Sequence, residues 1–181
     1  MKYEDNAVDI EGLLRDFSIN KKEFISFSDY YNDKFSEYGN EVYDDFKVRL
    51  VHLKYFLEDS WWNDRFYFLW KYFKKYGQII DIGFSVPYLP IHLYRLGRID
   101  ELPNILYVDG NETSKILAEK ICEKIGIEVD FVVGDVQMSA TWEMIRDRIK
   151  SDSKLFCLFE TIEHLTVADD FWKNIHAYKG S

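Results

Sequence analysis

"KLFCLFETIEHL", residues 154–165, passes through five apolar residues, Leu155 to Phe159, and then presents Glu160, Thr161, Ile162, Glu163 and His164. Two carboxylates and an imidazole this close together admit three readings. In the first they are structural: Ile162 and Leu165 pack inward while Glu163 and His164 cap a turn or bond a neighbouring loop. In the second, Glu160, Glu163 and His164 line an active site, orienting a substrate or passing a proton. An imidazole with an ordinary pKa of about 6.5 suits that work. In the third, the mixed carboxylate–imidazole set holds a divalent ion. The remaining histidines have less to recommend them. His52 stands in a helical pattern with no partner nearby in sequence, His92 follows Pro90 on an apolar helix, and His176 falls on the solvent side of the last helix. No serine or cysteine stands in a nucleophile-elbow sequence, and CxxC, P-loop and HExxH patterns are absent.

The opening motif belongs to a wider pattern. "QIIDIG", "NILYVDG", "VDFVVGD" and "KLFCLFE" are short apolar runs carrying Asp81, Asp109, Asp135 and Glu160 at or near their ends. Amphipathic stretches alternate with them: "YLPIHLYRLG", "ETSKILAEKICEKIG", "SATWEMIRDRIK" and "VADDFWKNIHAYKG". The reading is β-α-β-α-β-α-β-α. Strands apolar on both faces are those covered by helices on both sides, hence a parallel sheet. Right-handed crossovers in a doubly wound arrangement predict the spatial order 3-2-1-4. In such a sheet ligands bind beyond the carboxyl ends of the strands, where the four acids would gather. Asp109, ending the second strand, is placed to accept hydrogen bonds from both hydroxyls of a ribose. Gly134-Asp135 can flank an adenine edge. Gly83, in the first turn, lets the backbone approach a ligand. Phe84, Ser85, Val86 and Pro87 then replace the G-x-G-x-x-G of a pyrophosphate loop, which favours a ligand without phosphates.

The chain divides near Gly77. Residues 1–76 are read as a helical N-terminal cap or lid, and residues 77–181 as a Rossmann-like α/β core. Val42, Phe46, Leu50, Leu53 and Leu57 recur at helical spacing, and Ser60 begins a second helix, "WWNDRFYFLWKYFKKYG", with Gly77 as its C-cap. The first forty residues read equally as helix, loop or lid. The tyrosines of residues 30–43 and the Trp61-Trp62 pair suit either helix packing or an aromatic lid.

Composition narrows the classes further. With 181 residues and 47% hydrophobic content the chain can bury a core. A formal net charge of −9 argues against nonspecific nucleic-acid binding, which needs cations on phosphates. No signal-peptide core or membrane-length apolar run is present, and Cys122 and Cys157, both among apolar residues, read as buried thiols of a cytoplasmic protein.

"IIDIG", "LYVDGNETSKILAEKI", "FVVGDV" and "LFCLFETIEHL", in that order, resemble the Rossmann-like S-adenosylmethionine-dependent methyltransferases. "ETIEH" is similar to the post-strand motif of the branch that includes ubiquinone-biosynthesis-type, small-molecule and sugar methyltransferases. The resemblance covers about residues 65–176. It implies S-adenosylmethionine as cofactor and a small-molecule acceptor. By match it places Asp81 and Gly83 beside the methionine moiety, Asp109 at the ribose, Asp135 and Val136 by the adenine, and Glu160 and Thr161 at the methionine end and substrate, with Gly110 also among the cofactor-binding residues. A related motif in small-RNA 2′-O-methyltransferases sets both glutamates and the histidine on a divalent ion, whereas the reading adopted for this chain expects no tightly bound metal. Two departures stand out. The glycine-rich turn of the family is reduced to Gly83, and the family's seven-stranded sheet has three strands more than the four read here. An apolar fourth strand at a sheet edge would invite a second copy or a partner chain. The rival readings are a noncatalytic Rossmann-like interaction module, a part of a larger methyltransferase, and an NAD-dependent oxidoreductase.

Overall fold

A computed structural model of the chain describes residues 7–34, 46–58, 72–159, 161–166 and 168–178, with backbone alone at Tyr30, Asn32, Asp33, Lys34, Glu163 and Ala168. Among the described residues three N-terminal helices come first: α1 (Ile10–Asp16), α2 (Lys21–Lys34) and α3 (Phe46–Glu58). The first two lie where sequence periodicity was ambiguous, and local capping explains them. The Asp9 carboxylate accepts the Gly12 N–H at 2.9 Å, and the Asn20 side chain accepts the N–H groups of Lys22 and Glu23.

The rest alternates as expected. Strands β1 (Gln78–Ile82), β2 (Asn104–Asp109), β3 (Asp130–Val133) and β4 (Lys154–Leu158) form a parallel sheet in the order β3-β2-β1-β4. Helices α4 (Tyr88–Arg95), α5 (Glu112–Lys124), α6 (Ser139–Asp147) and α7 (Ala168–Ala177) connect or follow them. This is the α/β, Rossmann-like architecture with N-terminal helices. The alternation of each strand sorts its side chains onto two cores. Ile79, Ile105, Tyr107 and Cys157 face one, together with Leu13, Leu14, Leu50, Leu53 and Phe56 of the N-terminal helices and Leu117 and Ile121 of α5. Ile80, Ile82, Leu106 and Val108 face the other, with Trp142, Ile145, Phe171 and Ile175 of α6 and α7. The N-terminal helices therefore share a core with one face of the sheet.

One local expectation needs correction. Gly77 is not a left-handed helix cap: Gly83, Gly97 and Gly126 are the glycines with positive φ among the described residues. Gly77 lies one residue before β1, its N–H donates to the Ser153 carbonyl at 2.8 Å, and a Cβ there would run into the Ser151 side chain. Close approach, not φ, explains it. Most of the helix expected from Ser60 lies outside the described residues. Among the described residues, no helix is long and apolar enough to cross a membrane.

Candidate functional site

Parallel strands place their carboxyl ends together, and the centre of this sheet is β1, flanked by β2 and β4. Here the order reverses, which is where a crevice opens in folds of this kind. The turn after β1 is built tightly. Gly83 has φ +73°, and its N–H donates to the Val108 carbonyl at 2.7 Å. A Cβ at Gly83 would collide with Thr161, whose hydroxyl donates to the carbonyls of Ile82 (2.9 Å) and Phe159 (3.1 Å). Thr161, three residues beyond β4, is thus fastened onto the end of β1. Phe84 turns inward, 4.5 Å from the Tyr107 ring and 5.9 Å from that of Phe131. Ser85 follows with φ +52°, one of two described non-glycine residues with positive φ. The Val86 N–H bonds back to the Phe84 carbonyl, making a γ-turn around Ser85 of the rarer, positive-φ form, which is strained.

Two acids face this turn from the same side of the sheet. Asp109, the last residue of β2, accepts the Asn111 N–H on Oδ1 (2.8 Å) and the Ser85 N–H on Oδ2 (3.3 Å). Burial raises its pKa above the ordinary carboxylate value, against the opposing pull of the Arg49 charge and these N–H groups. Asp81 is the penultimate residue of β1, paired in register with Tyr107 and Cys157. It is only 6% exposed, and Oδ1 has no hydrogen-bond partner. Burial, and secondarily the Asp109 charge, push its pKa up to about 8. Asp81 is therefore a neutral carboxylic acid at pH 7.

The third contributor comes from the N-terminal helices. Helix α3 brings Arg49 and His52 to the turn. Arg49, buried, donates through Nη1 to the Ser85 hydroxyl at 2.7 Å. His52 Nδ1 lies 3.2 Å from the same oxygen, and its Nε2 lies 3.2 Å from the Tyr31 hydroxyl of α2. Burial, and then the Arg49 charge, lower the His52 pKa to about 4. The sequence reading gave His52 no partner because its partners stand 21 and 33 residues away. Its spacing from Arg49, three residues on one helix, was the one available signal.

The other expected residues are more dispersed. Asp135 lies two residues beyond β3, exposed, with its carboxylate accepting the Gln137 N–H at 2.8 Å. The Val136 side chain packs into the second core, and its carbonyl accepts the Trp142 indole N–H at 2.6 Å. Gly110 is exposed, with open space where a side chain would stand. His164 closes a short 3-10 turn, Ile162–His164, and is exposed. Glu160 and the Glu163 side chain lie outside the described residues. His92 is fully buried in α4, and His176 is exposed on α7. Among the described residues, no three His, Cys, Asp or Glu side chains gather as a metal ion would need.

No family model, curated protein or solved structure matches this chain. The site must be read on its own geometry.

Proposed function

We propose that the chain binds S-adenosylmethionine across the carboxyl ends of β1 and β2 and transfers its methyl group to a small-molecule acceptor. The observation that carries the reading is the Asp109 carboxylate. Both of its oxygens accept backbone N–H groups at the carboxyl end of β2, and Gly110 beside it leaves open space. A vicinal diol such as a ribose fits two adjacent acceptors of this kind. The opposite end of the site is narrower, since Thr161 fills the space next to Gly83.

When bound, the cofactor supplies an electrophilic methyl group on a sulfonium. The residues do the rest. Asp109 fixes the ribose, and the turn from Gly83 to Ser85 sets how closely the backbone approaches. Arg49 and His52 hold that turn from the side of the N-terminal helices. The buried aromatics Phe84, Tyr107 and Phe131 keep water from beneath it. Catalysis by such a site is chiefly positioning and desolvation.

Parallel calorimetric titrations with S-adenosylmethionine, S-adenosylhomocysteine and NAD test the reading. The two sulfur compounds should bind and NAD should not. Asp109→Ala removes charged hydrogen bonds worth about 1.5–3 kcal/mol. Affinity should therefore fall roughly 10- to 100-fold. A change under about twofold in the folded variant removes Asp109 from the site.

A second reading has its own support. The Ser85 N–H already occupies one side of Asp109, and Thr161 already seals Gly83. A turn satisfied internally in this way suits a noncatalytic Rossmann-like module. Folded protein giving no heat with any of the three ligands would select it.

A further inference from the structure

Ser85 has an environment that a cofactor-binding turn does not require. It stands between strand β1 and helix α4 with φ +52°, at the centre of a γ-turn. This strand–turn–helix placement with a strained backbone is what presents a nucleophilic serine in unrelated hydrolases. The sequence, Gly83-Phe84-Ser85-Val86-Pro87, lacks the second glycine that normally marks it.

The hydrogen bonds around Ser85 assign its proton. Arg49 has only donors, so the Ser85 oxygen accepts from it. The hydroxyl hydrogen is then free to point at His52 Nδ1, 3.2 Å away. Burial and the Arg49 charge keep that imidazole neutral at physiological pH, and a neutral ring carries one hydrogen. With Nδ1 accepting, the hydrogen is on Nε2, which meets the Tyr31 oxygen at 3.2 Å. Nucleophile, base and orienting group thus stand in series within hydrogen-bond reach of one another.

We propose that Ser85 is a nucleophile, with His52 as its general base and Tyr31 as the group that orients the imidazole, and that it takes an acyl group from an ester or thioester. Oγ forms a bond to the acyl carbon as its proton passes to His52 Nδ1. The bond from that carbon to the leaving oxygen or sulfur breaks, and the leaving group takes the proton from His52. A water deprotonated by the same nitrogen then attacks the acyl-serine, releasing a carboxylic acid and restoring Ser85. The Val86 N–H is committed to the Phe84 carbonyl, and the Arg49 guanidinium, on Oγ itself, eases the negative charge that develops there as the proton leaves. This chemistry is independent of whether the chain binds S-adenosylmethionine.

The test is labelling of the full chain, without added cofactor, by a fluorophosphonate probe, read by intact mass and peptide mapping. One adduct on Ser85 is expected. It should vanish in Ser85→Ala and form roughly 100-fold more slowly in His52→Gln. Tyr31→Phe should slow it severalfold, and exposed His176→Gln should leave it unchanged. Circular dichroism identifies which variants fold. The proposal fails if wild-type protein acquires no adduct at Ser85, whatever the variants do. It also fails if folded His52→Gln labels at the wild-type rate, because Ser85 would then be only the latch between α3 and the turn.

Discussion

Asp81→Asn should stabilise this protein, and increasingly so as pH rises. In the unfolded chain Asp81 gives up its proton near 3.8, whereas in the folded protein burial and Asp109 retain it up to about 8. Between those values the folded state binds one proton more than the unfolded state, so stability falls as pH rises. The contribution is intact below the unfolded pKa and is lost progressively up to the folded one. Each pH unit changes the balance by about 1.4 kcal/mol, so from pH 4 to pH 7 the ceiling is ~4 kcal/mol. Water penetration and relaxation reduce such figures, and on the order of 2–4 kcal/mol is expected. Asparagine resembles the neutral acid in shape and does not titrate. Urea denaturation of both proteins at about pH 5 and about pH 8 measures the effect. The advantage of the variant should be small at the lower pH and large at the higher. A pH-independent difference, or a wild type that gains on the variant as pH rises, would refute the buried-acid argument.

Further outcomes follow from single contacts. Gly83→Ala places a side chain at φ +73° against Thr161 and should cost ~1–3 kcal/mol in thermal or chemical unfolding, with part restored by adding Thr161→Ala. Trp142→Phe removes the indole hydrogen bond to the Val136 carbonyl and should cost about 1–3 kcal/mol, read from denaturant midpoints. Cys122, pushed up to about 12 by burial, and Cys157, raised further by burial and Asp81, should resist iodoacetamide at neutral pH until the protein unfolds. Alkylation of either thiol in native protein at the rate of a free cysteine would contradict that.

The order of strands and helices after Gly77 was legible because local pattern carries it: apolar runs of strand length, helical spacing between them, and Asn111 capping α5 through the Thr113 N–H. From that alternation the sheet order follows by connection rules alone. The acids Asp81 and Asp109 were legible as strand-end residues for the same reason. Their protonation was not, because it depends on what covers them, and α1 to α3 come from a part of the chain whose spacing says nothing about which sheet face they bury. The Ser85 constellation was least legible of all. Val86 and Pro87 conceal the turn type, and Tyr31, His52 and Ser85 are joined only when α2 and α3 pack over β1. Backbone periodicity is a local property and survives in one dimension, whereas hydrogen-bond partners and desolvation arise from contacts between segments far apart in the chain, which only the packed structure specifies.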